Sequence, residues 1–179
     1  MDAAMEARLA ELLDRDAIWQ VMQRYARGLD RLDNPLVRSC YWDDAIEDHG
    51  AFVGTPDDFI AWADGTTLAF ETTSHGLMNH TCDLQGEDAY CETYFVFLGK
   101  AAQGPHLMSN GRYVDHFRKR GAEWRIANRV CVIDAQYELA TFGPAAQMPP
   151  HYTEDEPSQA TRDRNDVSYH RPPVPRRPR

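Results

Sequence analysis

Asp30, His75 and Arg129 are the residues whose types and placing could together do chemistry. An Asp beside a His holds one imidazole tautomer and stabilises the imidazolium once the ring has taken a proton. An Arg across a pocket from that pair can bind a departing anion or a developing oxyanion. The set reads as proton abstraction coupled to loss of a leaving group. An imidazole, with an ordinary pKa of about 6.5, suits a base that works near neutrality. The plain alternatives are a helix-capping Asp, a surface His and an ion-paired Arg.

The candidate substrate-binding residues are Tyr25, His49, Asn79, Tyr94 and Tyr113. His49 is placed to line a pocket mouth. Tyr94 and Tyr113, with Glu92, lie in strand-like runs where they are either pocket polar groups or ordinary sheet packing. His80 follows His75 by five residues and so has the opposite strand parity; both face one side only if a bulge intervenes. His116 sits in a basic, exposed-looking run, while His106, His151 and His170 read as loop or tail residues. Their spacing offers no metal site.

Placing the three requires a long helix, a pair of long strands and a curved sheet. Ile18, Val21, Met22, Tyr25, Ala26 and Leu29 recur at helical spacing, and Asp30 stands one residue past that stripe. Leu9, Leu12 and Leu13 suggest a preceding helix or turn. Asn34-Pro35 opens a short second helix carrying Leu36, Val37, Tyr41 and Trp42. Thr55-Pro56-Asp57-Asp58 starts a third: a hydroxyl N-cap, Pro at the first helical position and acids in the first turn. A short strand falls near Ala45–Val53. Four strands follow, His75–Leu84, Ala89–Leu98, Leu107–Arg118 and Trp124–Ala135, joined by turns at Gly86 and Gly121. Helices first and a meander after predict an α+β fold, with helices packed in the concave face of a curved mixed sheet. Such a cone leaves a mouth suited to an apolar ligand.

At 179 residues the chain has the length of one domain with some to spare. Eight of the eleven prolines lie beyond residue 142, so the reading is a folded domain over 1–142 and an extended Pro/Arg-rich tail over 143–179. That tail is either solvated or an arm laid over a neighbouring subunit, with Tyr152 and Tyr169 as anchors. A net charge of −9 would repel phosphates and argues against a nucleic-acid partner. No apolar run approaches the roughly 20 residues that span a bilayer, which argues against a membrane partner. The acidic start, Met1-Asp2-Ala3-Ala4-Met5-Glu6, is unlike a signal peptide, and a cytoplasmic location is expected. Cys40, Cys82, Cys91 and Cys131 show no CxxC spacing and no nearby His pair, and read as reduced, buried small hydrophobes without metal. No phosphate-binding glycine loop is present, and no organic cofactor is expected.

The run Arg15-Asp16-Ala17-Ile18 through Tyr25-Ala26-Arg27-Gly28-Leu29-Asp30 resembles the opening helix of the SnoaL-like branch of the nuclear transport factor 2-like superfamily. Thr73-Ser74-His75-Gly76-Leu77-Met78-Asn79, the Gly86-Glu87-Asp88-Ala89 turn, Gly111–Phe117 and Trp124–Arg129 extend the resemblance over residues 10 to 137. It implies a cone-shaped α+β barrel and a cofactor-free enzyme, often a homotrimer, acting on a buried hydrophobic small molecule. Its enzymes include hexachlorocyclohexane dehydrochlorinase and scytalone dehydratase; Asp30, His75 and Arg129 stand where the dehydrochlorinase has its catalytic pair and assisting Arg. The dehydratase has a Tyr before its Asp, where this chain has Leu29, and a second His on the strand after, where Ala89–Leu98 has none. Three functions therefore stay open. One is a lyase losing water, halide or a one-carbon fragment. The others are a ketosteroid-isomerase- or polyketide-cyclase-like isomerase, and a binding or assembly domain like a dioxygenase small subunit.

Overall fold

A computed structural model describes residues 2–140 and 161–173. Helix α1 runs unbroken over Ala3–Asp30, capped by Asp2, whose carboxylate accepts from the Met5 amide at 2.8 Å. The expected break near Leu9–Leu13 is absent. Only the second half of α1 buries its stripe, around Ile18, Val21, Met22 and Tyr25, while Leu12 and Leu13 stay exposed. The strong propensity of an Ala/Leu/Glu/Arg-rich first half carries the helix past the region where packing supports it. Helix α2, Asn34–Arg38, crosses α1 closely: a Cβ on Gly28 would lie 2.6 Å from Val37 Cγ2. Tyr41 and Trp42 belong to strand β1, Tyr41–Asp48, and not to that short helix. Strand β2 is Val53–Gly54, and α3, Pro56–Thr67, starts as expected with Thr55 accepting from the Asp58 amide.

Strands β3 (Phe70–Gln85), β4 (Asp88–Ala101), β5 (His106–Arg120) and β6 (Glu123–Leu139) form the antiparallel meander. The six-stranded sheet has the order β2-β1-β6-β5-β4-β3, with β1 parallel to β6. It is mixed and curved, with α1 and α3 against its concave face, so the α+β cone holds. The barrel does not close: β2 and β3 are free edges.

The register slips at several points in the sheet, and these set which side chains face inward. In β3 the register slips by one between Leu77 and His80, so Met78 and Asn79 stand opposite Tyr94 alone. His75 and Leu77 on one side of this bulge, and His80 and Cys82 on the other, therefore share the half-buried face. In β6 the register slips between Asn110/Ala135 and Gly111/Ile133. Gly111 fits this crowded point because a Cβ there would lie 2.0 Å from the Val132 carbonyl oxygen.

The described part of the tail packs on its own domain. Tyr169, in a 3-10 turn over Val167–Tyr169, donates its hydroxyl to Asp33 at 3.0 Å and lies under Arg27. Arg162 donates to the carbonyls of Leu29, Asp30, Thr67 and Phe70, tying the last turn of α1 to α3 and the start of β3. Tyr152 lies outside the described residues. Among the described residues, no helix is long and apolar enough to cross a membrane.

Candidate active site

Asp30 is the last residue of α1, and Arg162 holds that turn from outside. His75 projects inward from β3. Asp30 Oδ1 lies 2.7 Å from His75 Nδ1, and Oδ2 accepts the His75 backbone N–H at 2.9 Å. The carboxylate thus fixes both the ring and its strand, and Nδ1–H donates to it, leaving the Nε2 lone pair as the base. Burial works to raise the Asp30 carboxyl, but its hydrogen bonds and the charge of His75 outweigh this and hold it below the usual range.

His75 lines a cavity of about 290 Å³ at the mouth of the cone. Leu29, Phe59, Trp62, Phe70 and Phe97 form most of its apolar wall, and the His75 ring packs 5.0 Å from that of Phe97. Ser109 and Tyr113 supply hydroxyls. Burial pushes the Tyr113 phenol well above its ordinary range, so it remains a neutral donor. Asp30 and His75 also border a solvent-open groove along α1 with Gln23 and Arg27. The apolar cavity is the better substrate site because it can strip water from a ring compound.

The same cavity is lined by a member of a second pair. His49 follows β1, and its Nδ1 lies 2.8 Å from Glu47 Oε1. Glu47 is fully buried, and its other oxygen accepts the Tyr41 hydroxyl at 2.7 Å. His49 is wedged among Phe59, Trp62 and Tyr113 and lines the same cavity. Glu47 and Tyr41 were not candidates from the sequence. The signal was there: in the strand expected near Ala45–Val53, Glu47 and His49 are two apart and so share a face.

Arg129 is corrected. Its side chain is wholly buried behind the cavity wall and forms a two-pronged bridge to Asp115 at 2.6 and 2.9 Å. Its guanidinium carbon lies 4.1 Å from the Tyr25 ring centroid and 4.2 Å from that of Tyr113. Burial opposes its charge, but Asp115 beside it prevails and keeps it protonated. Arg129 backs Tyr113 and does not line the cavity.

Three substrate-binding expectations also change. Tyr25 is a core residue, sealed between Tyr41, Phe59 and Tyr113. Asn79 is exposed on the bulge, and Tyr94 opposite it is exposed on the convex face. His49 and Tyr113 do line the cavity. Glu92 pairs with Arg112, and His116 with Asp88, both away from it.

The profile of the SnoaL-like domain matches residues 10–130. No curated protein matches the chain. Among solved structures, hexachlorocyclohexane dehydrochlorinase LinA type 2 is 19% identical with a TM-score of 0.71, covering 77% of this chain and 98% of its own. The type 3 enzyme from Novosphingobium barchaimii is 18% identical with a TM-score of 0.70, covering 76% and 99%. A candidate scytalone dehydratase from Novosphingobium aromaticivorans is 19% identical with a TM-score of 0.66, covering 78% and 97%. At such identities these likenesses carry the fold. With the profile spanning most of the domain, the chain belongs to the SnoaL-like family of the nuclear transport factor 2-like superfamily.

Proposed function

We propose that this protein is a cofactor-independent lyase for a hydrophobic, hydroxylated cyclic or aromatic small molecule. The observation that carries the reading is the Asp30–His75 pair, closed at 2.7 Å on the wall of an apolar cavity. His75 Nε2 takes a proton from a carbon or hydroxyl of the substrate. The electrons released form the new double bond as the leaving group departs on the His49 side. A halide leaves unaided, whereas a hydroxyl leaves as water only if it receives a proton. The His49–Glu47 pair can give one. An isomerase would need a free carboxylate in the cone as carbon base, and both oxygens of Asp30 are occupied by His75. The direct test is a screen of hydroxylated aromatic and alicyclic compounds, reading the product mass for the fragment lost. Finding no conversion by elimination overturns the reading.

His49→Gln tests the acid. Its kcat for loss of water falls by about 10²-fold, while a halide analogue of the same skeleton loses little rate. Equal losses on both leaving groups would assign His49 to binding alone.

The assembly that fits this reading is a homotrimer. The convex face exposes Tyr90, Tyr94, Leu98, Val114 and Val130, interleaved with the ion-paired Glu92 and Arg112, a surface that a second copy of the chain would cover. Light scattering at micromolar concentration should give three chain masses; a monomer refutes it.

A further inference from the structure

At the narrow end of the cone, away from the cavity, the β3 bulge turns His80 and Cys82 inward beneath α1. Cys82 pairs directly with Cys91 across the β3–β4 ladder, and Thr93 stands opposite His80. The Thr93 hydroxyl, 2.8 Å from His80 Nδ1, fixes one side of the ring. The other nitrogen, Nε2, is buried and has no hydrogen-bonding partner among the described residues. A ring nitrogen of His80 and the two sulfurs all lie within 4.8 Å of one another. The proposed lyase chemistry uses none of them.

We infer that His80, Cys82 and Cys91 form a site for a soft divalent cation, Zn²⁺, that pins the free edge strand β3 to β4. A tetrahedral zinc with two thiolates and an imidazole holds its ligand atoms about 3.6–3.8 Å apart, so these side chains need close by only on the order of 1 Å. Two thiolates neutralise the ion, which removes the electrostatic cost of placing it between sheet and helix. Thr93 plays the part of the outer hydrogen-bond partner that orients a ligating imidazole and sets its tautomer. The imidazole-plus-thiolate set favours zinc over magnesium or calcium, which take oxygen ligands. The fourth position is left for water. Binding replaces two thiol protons, so Cys82 and Cys91 release them to solvent and neither sulfur changes oxidation state. The contiguous sequence hides the site because Cys82 and Cys91 meet only through the hairpin register.

The test uses the full chain, purified under reducing conditions, stripped with a chelator and titrated with Zn²⁺, then with Co²⁺ as a spectroscopic stand-in. About one equivalent of zinc should bind, with a melting temperature raised by roughly 5 °C. Cobalt should show sulfur-to-metal charge-transfer absorption of two thiolates. His80→Gln and Cys82→Ser should each weaken zinc binding about 100-fold or more while both still melt cooperatively. Wild-type chain that takes up no zinc, or a cobalt spectrum without the sulfur bands, overturns the site. So does a His80→Gln or Cys82→Ser chain that binds as tightly as wild type. If either variant does not fold, the wild-type cobalt spectrum decides.

Discussion

Replacing His75 with alanine should abolish turnover, lowering kcat about 10⁴-fold on the compound the screen identifies, with the melting curve and ligand affinity little changed. Among the described residues the ring hydrogen-bonds only to Asp30, and its strand stays tied to that carboxylate through the backbone N–H. Asp30→Asn should be nearly as damaging, because the amide can stabilise the wrong imidazole tautomer and no longer balances the imidazolium. The double variant should be little worse than either single one, as groups that act as a unit are strongly non-additive. Acid should reproduce the effect. Asp30 is held below the ordinary carboxylate range, so its contribution is fully present above about pH 4 and is lost as the pH falls through its lowered value. Steady-state kinetics beside circular dichroism check all four points. A His75→Ala chain that keeps most of its rate overturns proton abstraction by this residue.

The second large effect is on stability. Arg129→Ala should cost about 3–5 kcal/mol, because it strands Asp115 as an uncompensated buried charge. Asp115 is 2% exposed, and Arg129 binds both of its oxygens. Replacing both partners, as Arg129→Met with Asp115→Leu, should recover most of that loss, since the desolvation cost vanishes with the charges. Urea unfolding of the three variants checks this. A stable but inactive Arg129→Ala chain would instead return Arg129 to the leaving-group role that its position in the sequence suggested.

The fold was legible because its signals are local: the apolar stripe that ends at Leu29, the Thr55-Pro56 start, and the turns at Gly86 and Gly121. Asp30 and His75 were legible through resemblance; their spacing alone left them as a cap and a surface residue. Arg129 was misplaced because period-two reasoning tells which face a residue takes and not what stands in front of it. Tyr113 stands between Arg129 and the cavity, and that depends on how three strands curve. Asn79 missed the cavity for a different reason, the extra residue in β3, whereas Tyr94 faces outward by the plain alternation of β4, in which Thr93 and Phe95 point inward. Glu47 was overlooked among the acids of Tyr41–Asp48, whose charges suggest a solvated strand; its burial is set by Tyr41 and His49, one of them six residues away.

That extra residue makes β3 two half-strands running out of phase. A one-residue deletion at Asn79 would restore the phase, leaving Met78 alone opposite Tyr94 and the pairs on both sides unchanged. His75 and Leu77 on one side and His80, Cys82 and Leu84 on the other would then all keep the inward face. The strand therefore gives each end of the cone its own reading frame, and Met78-Asn79 is the place where losing one residue turns neither end outward. In comparing this chain with a distant relative, a gap opened here is the physically reasonable one. An ungapped alignment anchored on His75 would pair inward residues with outward ones everywhere beyond it if the relative lacks the bulge.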